Sequence, residues 1–209
     1  MLTNLQHYRI VLGSNSPRRK ELLAGLDLKF EVEVIPGIDE SYPDDLTADE
    51  IPAYIARKKA EAYLEKMTDN ELLITADTIV VTYGQPDRIL GKPADREEAI
   101  EMLCHLSGHV HEVITGVCLT TKQKTVSFSV SSAVAFSKLE KDDIIYYVDK
   151  YRPYDKAGSY GIQEWIGYVG VEAINGSFYN VMGLPVQRLY QELKKFEAFL
   201  VKIFSERWG

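Results

Sequence analysis

The stretch Arg9-Ile-Val-Leu-Gly-Ser-Asn-Ser-Pro-Arg-Arg-Lys20 changes character in mid-course. A short apolar run, Ile10-Val11-Leu12, gives way to small polar residues, and Ser16-Pro17 then reads as an N-cap followed by proline at the first helical position. This predicts a strand feeding directly into a helix at residue 16. Outward from it, residues 30–35 (Phe-Glu-Val-Glu-Val-Ile) alternate as a half-buried strand should, and Pro36-Gly37 stops them. Thr47 to Glu50 has the form of a capping box, with Pro52 blurring the true start, and Ile55, Lys59, Ala62 and Lys66 continue at helical spacing to Met67. Residues 72–81 form an apolar run broken only by Thr75, Asp77 and Thr78, which predicts a central strand covered on both faces.

Farther along, Asp95 opens a capped helix that ends near Gly108, and residues 110–121 and 125–137 read as paired strands. Helices are expected at about 140–150 and 185–206. Strands interleaved with helices early, then two strands in succession, predict a mixed α/β sheet, and no linker or repeat divides the chain. The periodic residues Leu189, Leu193, Phe196, Leu200 and Ile203 predict a core or dimer stripe.

The 209 residues are 45% hydrophobic and 26% charged, which excludes disorder as the main state. A chain of this size buries roughly 70–75% of its unfolded surface and needs no disulfide or structural metal to hold its core. Its net charge of −7 opposes sequence-independent binding to nucleic acid or to an anionic membrane. A polyanionic ligand would therefore have to meet a local cluster of cations. The two cysteines, Cys104 and Cys118, form no framework, and no apolar run approaches a membrane span, so the expected setting is the cytoplasm.

Three cations, Arg18, Arg19 and Lys20, occupy the first turn of the predicted helix, where each opposes the macrodipole by about 0.3–1 kcal/mol if exposed. A bound anion would reverse that penalty. The backbone N–H groups of the helix start, the hydroxyls of Ser14 and Ser16 and two guanidinium forks would together make a phosphate cradle. A solvated basic turn paired with Glu21 or other acids explains the same residues, and the sequence leaves both readings open. Asp77, in an apolar run, needs a partner, because a buried carboxylate is costly unless bonded or paired. Asp39 and Glu40 follow the strand at 30–35, where a loop could carry them to the same cleft or leave them solvated.

Gly91-Lys92-Pro93 after Gly84 imitates a phosphate-binding loop, but the glycines are seven apart and proline stands where a Ser or Thr would bind magnesium. Lys92 remains a candidate point charge for a phosphate. Cys104, His105, His109 and His111 fit no standard zinc spacing.

Taken together, these motifs resemble the Maf family of nucleoside triphosphate pyrophosphatases. The resemblance runs from Ile10 to about Leu193. It is carried by GSNSPRR at 13–19, Asp39-Glu40, ARKKA at 56–60, ADT at 76–78, GKP at 91–93, HEVITGV at 111–117, DKAGSYGIQ at 155–163 and NVMGLP at 180–185. It implies a single Maf-like domain over 1–209, similar also to inosine triphosphatases, in which an elongated mixed sheet with flanking helices forms two lobes around a nucleotide-binding cleft. Residues 194–209 would be a C-terminal helical extension outside the resemblance, and the working unit a homodimer.

The implied reaction is attack of water between the α and β phosphates, aided by a divalent cation (Mg2+ or Mn2+), to give a monophosphate and pyrophosphate. By resemblance Asp77 accepts the proton from water, and Glu40, with Asp77, binds metal or orients water. Arg19, Lys59 and Lys92 would stabilise the leaving pyrophosphate, with Ser14 and Ser16 in the cradle. Arg18, Thr78 and Gln163 match the branch of the family that acts on dTTP, UTP and sometimes modified pyrimidine nucleotides. A glutamine carboxamide, donor and acceptor at once, suits the imide edge of uracil or thymine. The sister branch acting on 7-methyl-GTP and a nucleotide-responsive regulator of cell division are the alternatives. The sequence departs from the family where glycine usually follows the glutamine: Glu164-Trp165 stand there, with one extra residue before Asn175-Gly176.

Overall fold

In a computed structural model describing residues 2–84 and 87–196, strand β1 (Arg9–Leu12) runs straight into helix α1 (Pro17–Ala24). The turn forms as its residues dictate: the Ser16 side chain accepts from the backbone N–H of Arg19, and Pro17 opens the helix. Strand β2 (Glu31–Val32) follows, then α2 (Ile51–Glu61), β3 (Glu71–Thr82), β4 (Arg88–Leu90), α3 (Arg96–Leu106), β5 (Val110–Thr120) and β6 (Thr125–Phe136). Helices α4 (Lys141–Tyr151) and α5 (Trp165–Gly170) precede β7 (Val171–Asn175), α6 (Phe178–Val181) and α7 (Val186–Lys194).

The fold is mixed α/β: a seven-stranded sheet in the order β2-β1-β3-β5-β6-β7, with β4 also on β3. β1 runs parallel to β2 and β3, whereas β4 and β5 lie antiparallel to β3, and β5, β6 and β7 continue antiparallel. β3 is the central strand that its composition predicts, with eleven of twelve residues buried. Its alternation sorts two cores. Leu72, Ile74, Ala76 and Val80 join the larger one with Leu103, Leu106, Tyr147 and Leu189, whereas Leu73 packs with Ala56 and Ala60, and Ile79 and Val81 with Ile51 and Ile55, under α2.

Helix α2 can sit this close to the sheet because of Gly116, whose added Cβ would lie 2.1 Å from Pro52 C and Ala53 N. Thr75 Oγ1 donates to Ala56 O at 2.6 Å and fixes the helix against β3.

Several expected boundaries shift. The stretch 30–35 pairs as a strand only at Glu31–Val32, and both residues are exposed. It lies at the sheet edge, so Glu31 and Glu33 pair with Arg9, and Tyr63 rather than a strand ladder holds the rest, its phenol accepting from Ile35 N and donating to Glu33 O. Helix α2 stops at Glu61 and not at Met67; the chain tightens into turns, with Tyr63 N bonded to Ala60 O. The last helix ends at Lys194, with Lys195 as its C-cap, so the helix expected to reach 206 is shorter here; Leu200, Ile203 and the extension beyond residue 196 lie outside the described residues. Strands β4 and β7 and helices α5 and α6 are not among the elements that the sequence predicts.

Candidate active site

Strand β1 leaves β3 at the pair Leu12 and Ile74, and β4 joins the same flank only at Val80. Between them one edge of β3 has no strand neighbour, and Asp77 and Thr78 sit in that gap. The cleft above it has a volume of about 420 Å³, within the usual range for small-molecule sites. The ten residues to which the family resemblance gives a catalytic, metal or substrate role line it: Ser14, Ser16, Arg18, Arg19, Glu40, Lys59, Asp77, Thr78, Lys92 and Gln163.

The start of α1 forms one wall, where Ser14 Oγ accepts from Ser16 N at 3.3 Å. Across the gap, Lys59 follows Ile55 and Ala56 by four and three residues along α2, so it lies on the helix face that packs on β3. Asp77 projects to the same side as Thr75, two residues earlier. Lys59 Nζ therefore reaches Asp77 Oδ1 at 2.7 Å and Glu40 Oε1 at 3.0 Å, which supplies the partner that a carboxylate in an apolar run requires. Burial pushes the Glu40 carboxyl up, but Lys59, Lys92 and Arg19 together hold it below its ordinary value.

The neighbouring residues diverge. Asp39 turns away to Ser41 and to Lys58, 2.7 Å distant, and does not line the cleft. Lys92 borders the cleft with no ion pair among the described residues, beside Gly91, whose carbonyl accepts from Gly158 N at 3.0 Å.

The two guanidiniums are more committed than a simple phosphate cradle requires. Arg19 Nε donates to Gly183 O (2.8 Å), Nη1 to Ala76 O (2.9 Å) and Ser14 Oγ (3.4 Å), and Nη2 to Thr78 Oγ1 (3.1 Å). Four of its five N–H groups thus serve the chain, and Ala76 O is a carbonyl on the flank that β1 has left. Burial lowers the Arg19 guanidinium from its ordinary value, and Asp77 opposes the shift. Arg18 Nη1 pairs with Asp155 Oδ2 at 2.9 Å, and Lys20 does not reach the cleft.

Asp155, Lys156, Tyr160 and Gly161 also line the cleft and were not singled out, although the DKAGSYGIQ motif contained them. Lys156, 7% exposed, sits between Asp155 (2.8 Å) and Glu164 (3.2 Å). Its burial between two carboxylates is invisible to composition. His111 is fully buried, its Nε2 2.7 Å from Tyr160 Oη, and His105 Nε2 is 3.0 Å from Thr82 Oγ1. Among the described residues no three His, Cys, Asp or Glu side chains group as a metal site, and no helix is long and apolar enough to cross a membrane.

Five cations and three carboxylates line this cleft in a chain whose net charge is −7. A helix N-terminus, clustered cations and a paired acid beside an open strand edge define the class: a site shaped for a polyanionic ligand and equipped for acid–base chemistry. The chain belongs to the Maf family, for residues 9–196 match the family described as Maf-like protein. It is 70% identical to the dTTP/UTP pyrophosphatase of Parabacteroides distasonis over 94% of this chain and 100% of that one. Proteins of the same name from Porphyromonas gingivalis (59% identical, 94% of this chain and 98% of that one) and Bacteroides thetaiotaomicron (60%, 93% and 100%) are similar along nearly the same length.

Proposed function

We propose that this chain hydrolyses dTTP and UTP to the monophosphate and pyrophosphate. The observation that carries the reading is the convergence of Asp77 and Glu40 on Lys59 Nζ at one side of the cleft, in a chain similar to proteins named for that activity. Asp77 takes the proton from the attacking water, whose oxygen bonds to phosphorus as the bond to the departing pyrophosphate breaks. Lys59, Lys92 and the start of α1, with Ser14 and Ser16, meet the charge that builds on the leaving group. Arg19 holds Ala76, Thr78 and Gly183 in place and offers its remaining N–H to the phosphates. Arg18, Thr78 and Gln163 select the base.

Glu40 and Asp77 fit a divalent cation: both are hard oxygen donors converging on one point, and Mg2+ commonly takes one or two carboxylates and fills its other positions with water and substrate phosphate. Bound there, Mg2+ or Mn2+ supplies positive charge to the phosphoryl oxygens. The working unit is a homodimer of single domains with the cleft between two lobes, as the family resemblance implies, and its setting the cytoplasm, a reading supported by two cysteines that form no framework.

Product analysis on a nucleotide panel tests the reading. Monophosphate and pyrophosphate from dTTP and UTP, with little action on ATP or GTP, is the expected result. Release of orthophosphate and a diphosphate overturns it, and 7-methyl-GTP as best substrate moves the chain to the sister branch. Nucleotide binding without any turnover points to a regulator.

A further inference from the structure

Gln163 does not stand on a regular element. It is the third residue of a tight turn, Gly161 to Glu164, closed by Glu164 N to Gly161 O at 2.9 Å. Its Oε1 is buried and has no hydrogen-bond partner among the described residues. A buried carbonyl oxygen left without a donor is costly, and Gln163 lines the cleft, where a ligand N–H can supply one.

The hydroxyl of Tyr147, on α4, holds the turn that carries Gln163. Tyr147 Oη accepts from Gly161 N at 3.0 Å and donates to a carboxylate oxygen of Glu164, so one phenol grips the first and last residues of the four-residue turn. The Tyr147 side chain is itself fully buried, and burial together with Glu164 raises its hydroxyl well above the ordinary value, which keeps it a donor. The other oxygen of Glu164 pairs with Lys156, which pairs with Asp155, which pairs with Arg18. The chain of alternating charge thus joins the turn to the first turn of α1. Two close approaches tighten the arrangement. A Cβ on Gly161 would lie 2.9 Å from Glu164 Cδ, and one on Gly167 would lie 1.7 Å from Ile162 O. Glu164 is also the position at which the sequence departs from the family it otherwise resembles.

We propose that Tyr147 and Glu164 are positioning residues for choice of nucleobase: they clamp the Gly161–Glu164 turn so that Gln163 Oε1 meets the N3–H of uracil or thymine, where cytosine presents a bare ring nitrogen. The inference rests on the reading of Gln163 as a base-selecting residue. Neither Tyr147 nor Glu164 lines the cleft, so the clamp acts through Gln163.

The test is equilibrium binding of α,β-imido dUTP, α,β-imido dCTP and inorganic tripolyphosphate to the parent, Tyr147→Phe, Glu164→Gln and Glu164→Ala, each checked by thermal melting. Tyr147→Phe and Glu164→Ala lose about tenfold in affinity for the uracil analogue, the equivalent of one ordinary hydrogen bond, and change little toward the cytosine analogue and tripolyphosphate. Glu164→Gln, which still accepts from the Tyr147 hydroxyl, recovers part of the loss. Folded variants that keep the parent's uracil-to-cytosine ratio overturn the clamp, as does an equal loss of tripolyphosphate affinity. If Tyr147→Phe does not fold, the two Glu164 variants decide. A parent that binds both analogues equally overturns the reading of Gln163 and the clamp with it, a different result from a discriminating parent with unaltered variants.

Discussion

Lys59 Nζ lies 2.7 Å from Asp77 Oδ1, and this contact joins a helix on one face of the sheet to the open edge of the central strand. The lysine holds Asp77 in place before any substrate arrives. Asp77→Asn keeps the shape but removes the proton acceptor, so the turnover number should fall by about 10²–10⁴ while nucleotide affinity persists. Turnover, affinity and melting temperature measured together check this, and an Asn variant that turns over like the parent removes Asp77 from the role of base.

The same ammonium stands where Glu40 and Asp77 would hold a divalent cation. Uptake of Mn2+ should therefore be weak without nucleotide and strong with an imido analogue, and Lys59→Met should tighten uptake by the free protein while lowering turnover. Chelator should abolish activity and leave the melting temperature unchanged. Full turnover in excess chelator refutes the requirement.

Arg19→Ala is expected to cost stability first. It strips donors from Gly183 O, Ala76 O, Ser14 and Thr78, a loss of about 2–4 kcal/mol in urea unfolding. Arg19→Lys should recover little of it, since an ammonium lacks the planar fork that reaches these acceptors. An alanine variant as stable as the parent but weak in triphosphate binding would make Arg19 a ligand group alone.

Gly116→Ala should cost a similar amount, about 2–4 kcal/mol, because its methyl group meets backbone at 2.1 Å. Relief requires α2 to lift from β5, and Lys59 travels with it. Turnover should thus fall although Gly116 lines no part of the cleft, and a crystal structure of the variant would show the Lys59 to Asp77 contact lengthened.

Burial lowers the His111 imidazole to about 4, against an ordinary 6.5. The unfolded chain then binds a proton between those values that the folded chain does not, so stability is complete above about pH 6.5 and declines as pH falls toward 4, by up to roughly 3 kcal/mol. His111→Gln, which keeps a polar group near Tyr160, should flatten this part of the profile. Urea unfolding at about pH 7 and about pH 4.5 on both proteins measures the difference, and parallel profiles refute it.

Much of this site was legible because its residues violate local expectation. Asp77 is a charge in an apolar strand, and Arg18 and Arg19 are cations at a helix start. Ser16-Pro17 and the doubly covered strand at 72–81 were equally legible, since capping and burial leave local patterns. What stayed hidden depends on distant partners. Nothing near Arg19 tells that its guanidinium meets Gly183, 164 residues away, or that Tyr147 grips a turn after residue 160. The alternation at 30–35 predicts a half-buried strand, but at the sheet edge no layer covers Val32 and Val34, which stay exposed, Val34 at the cleft.

The gap in the ladder beside β3 makes the site sensitive to reading frame within the strand. Successive side chains of a strand point to opposite faces, and here Asp77 goes to α2 while Thr78 goes to Arg19 and Thr115. With no strand covering that flank, one peptide link can present a carboxylate from above and a hydroxyl from below to a single ligand lodged in the gap. The two functions are consequently locked in phase. Inserting or deleting one residue between Leu72 and Ala76 would exchange the faces, bringing a hydroxyl to Lys59 and a carboxylate against Thr115, and exchanging the two side chains would mend the site but leave Ile79, Val80 and Val81 on the wrong faces.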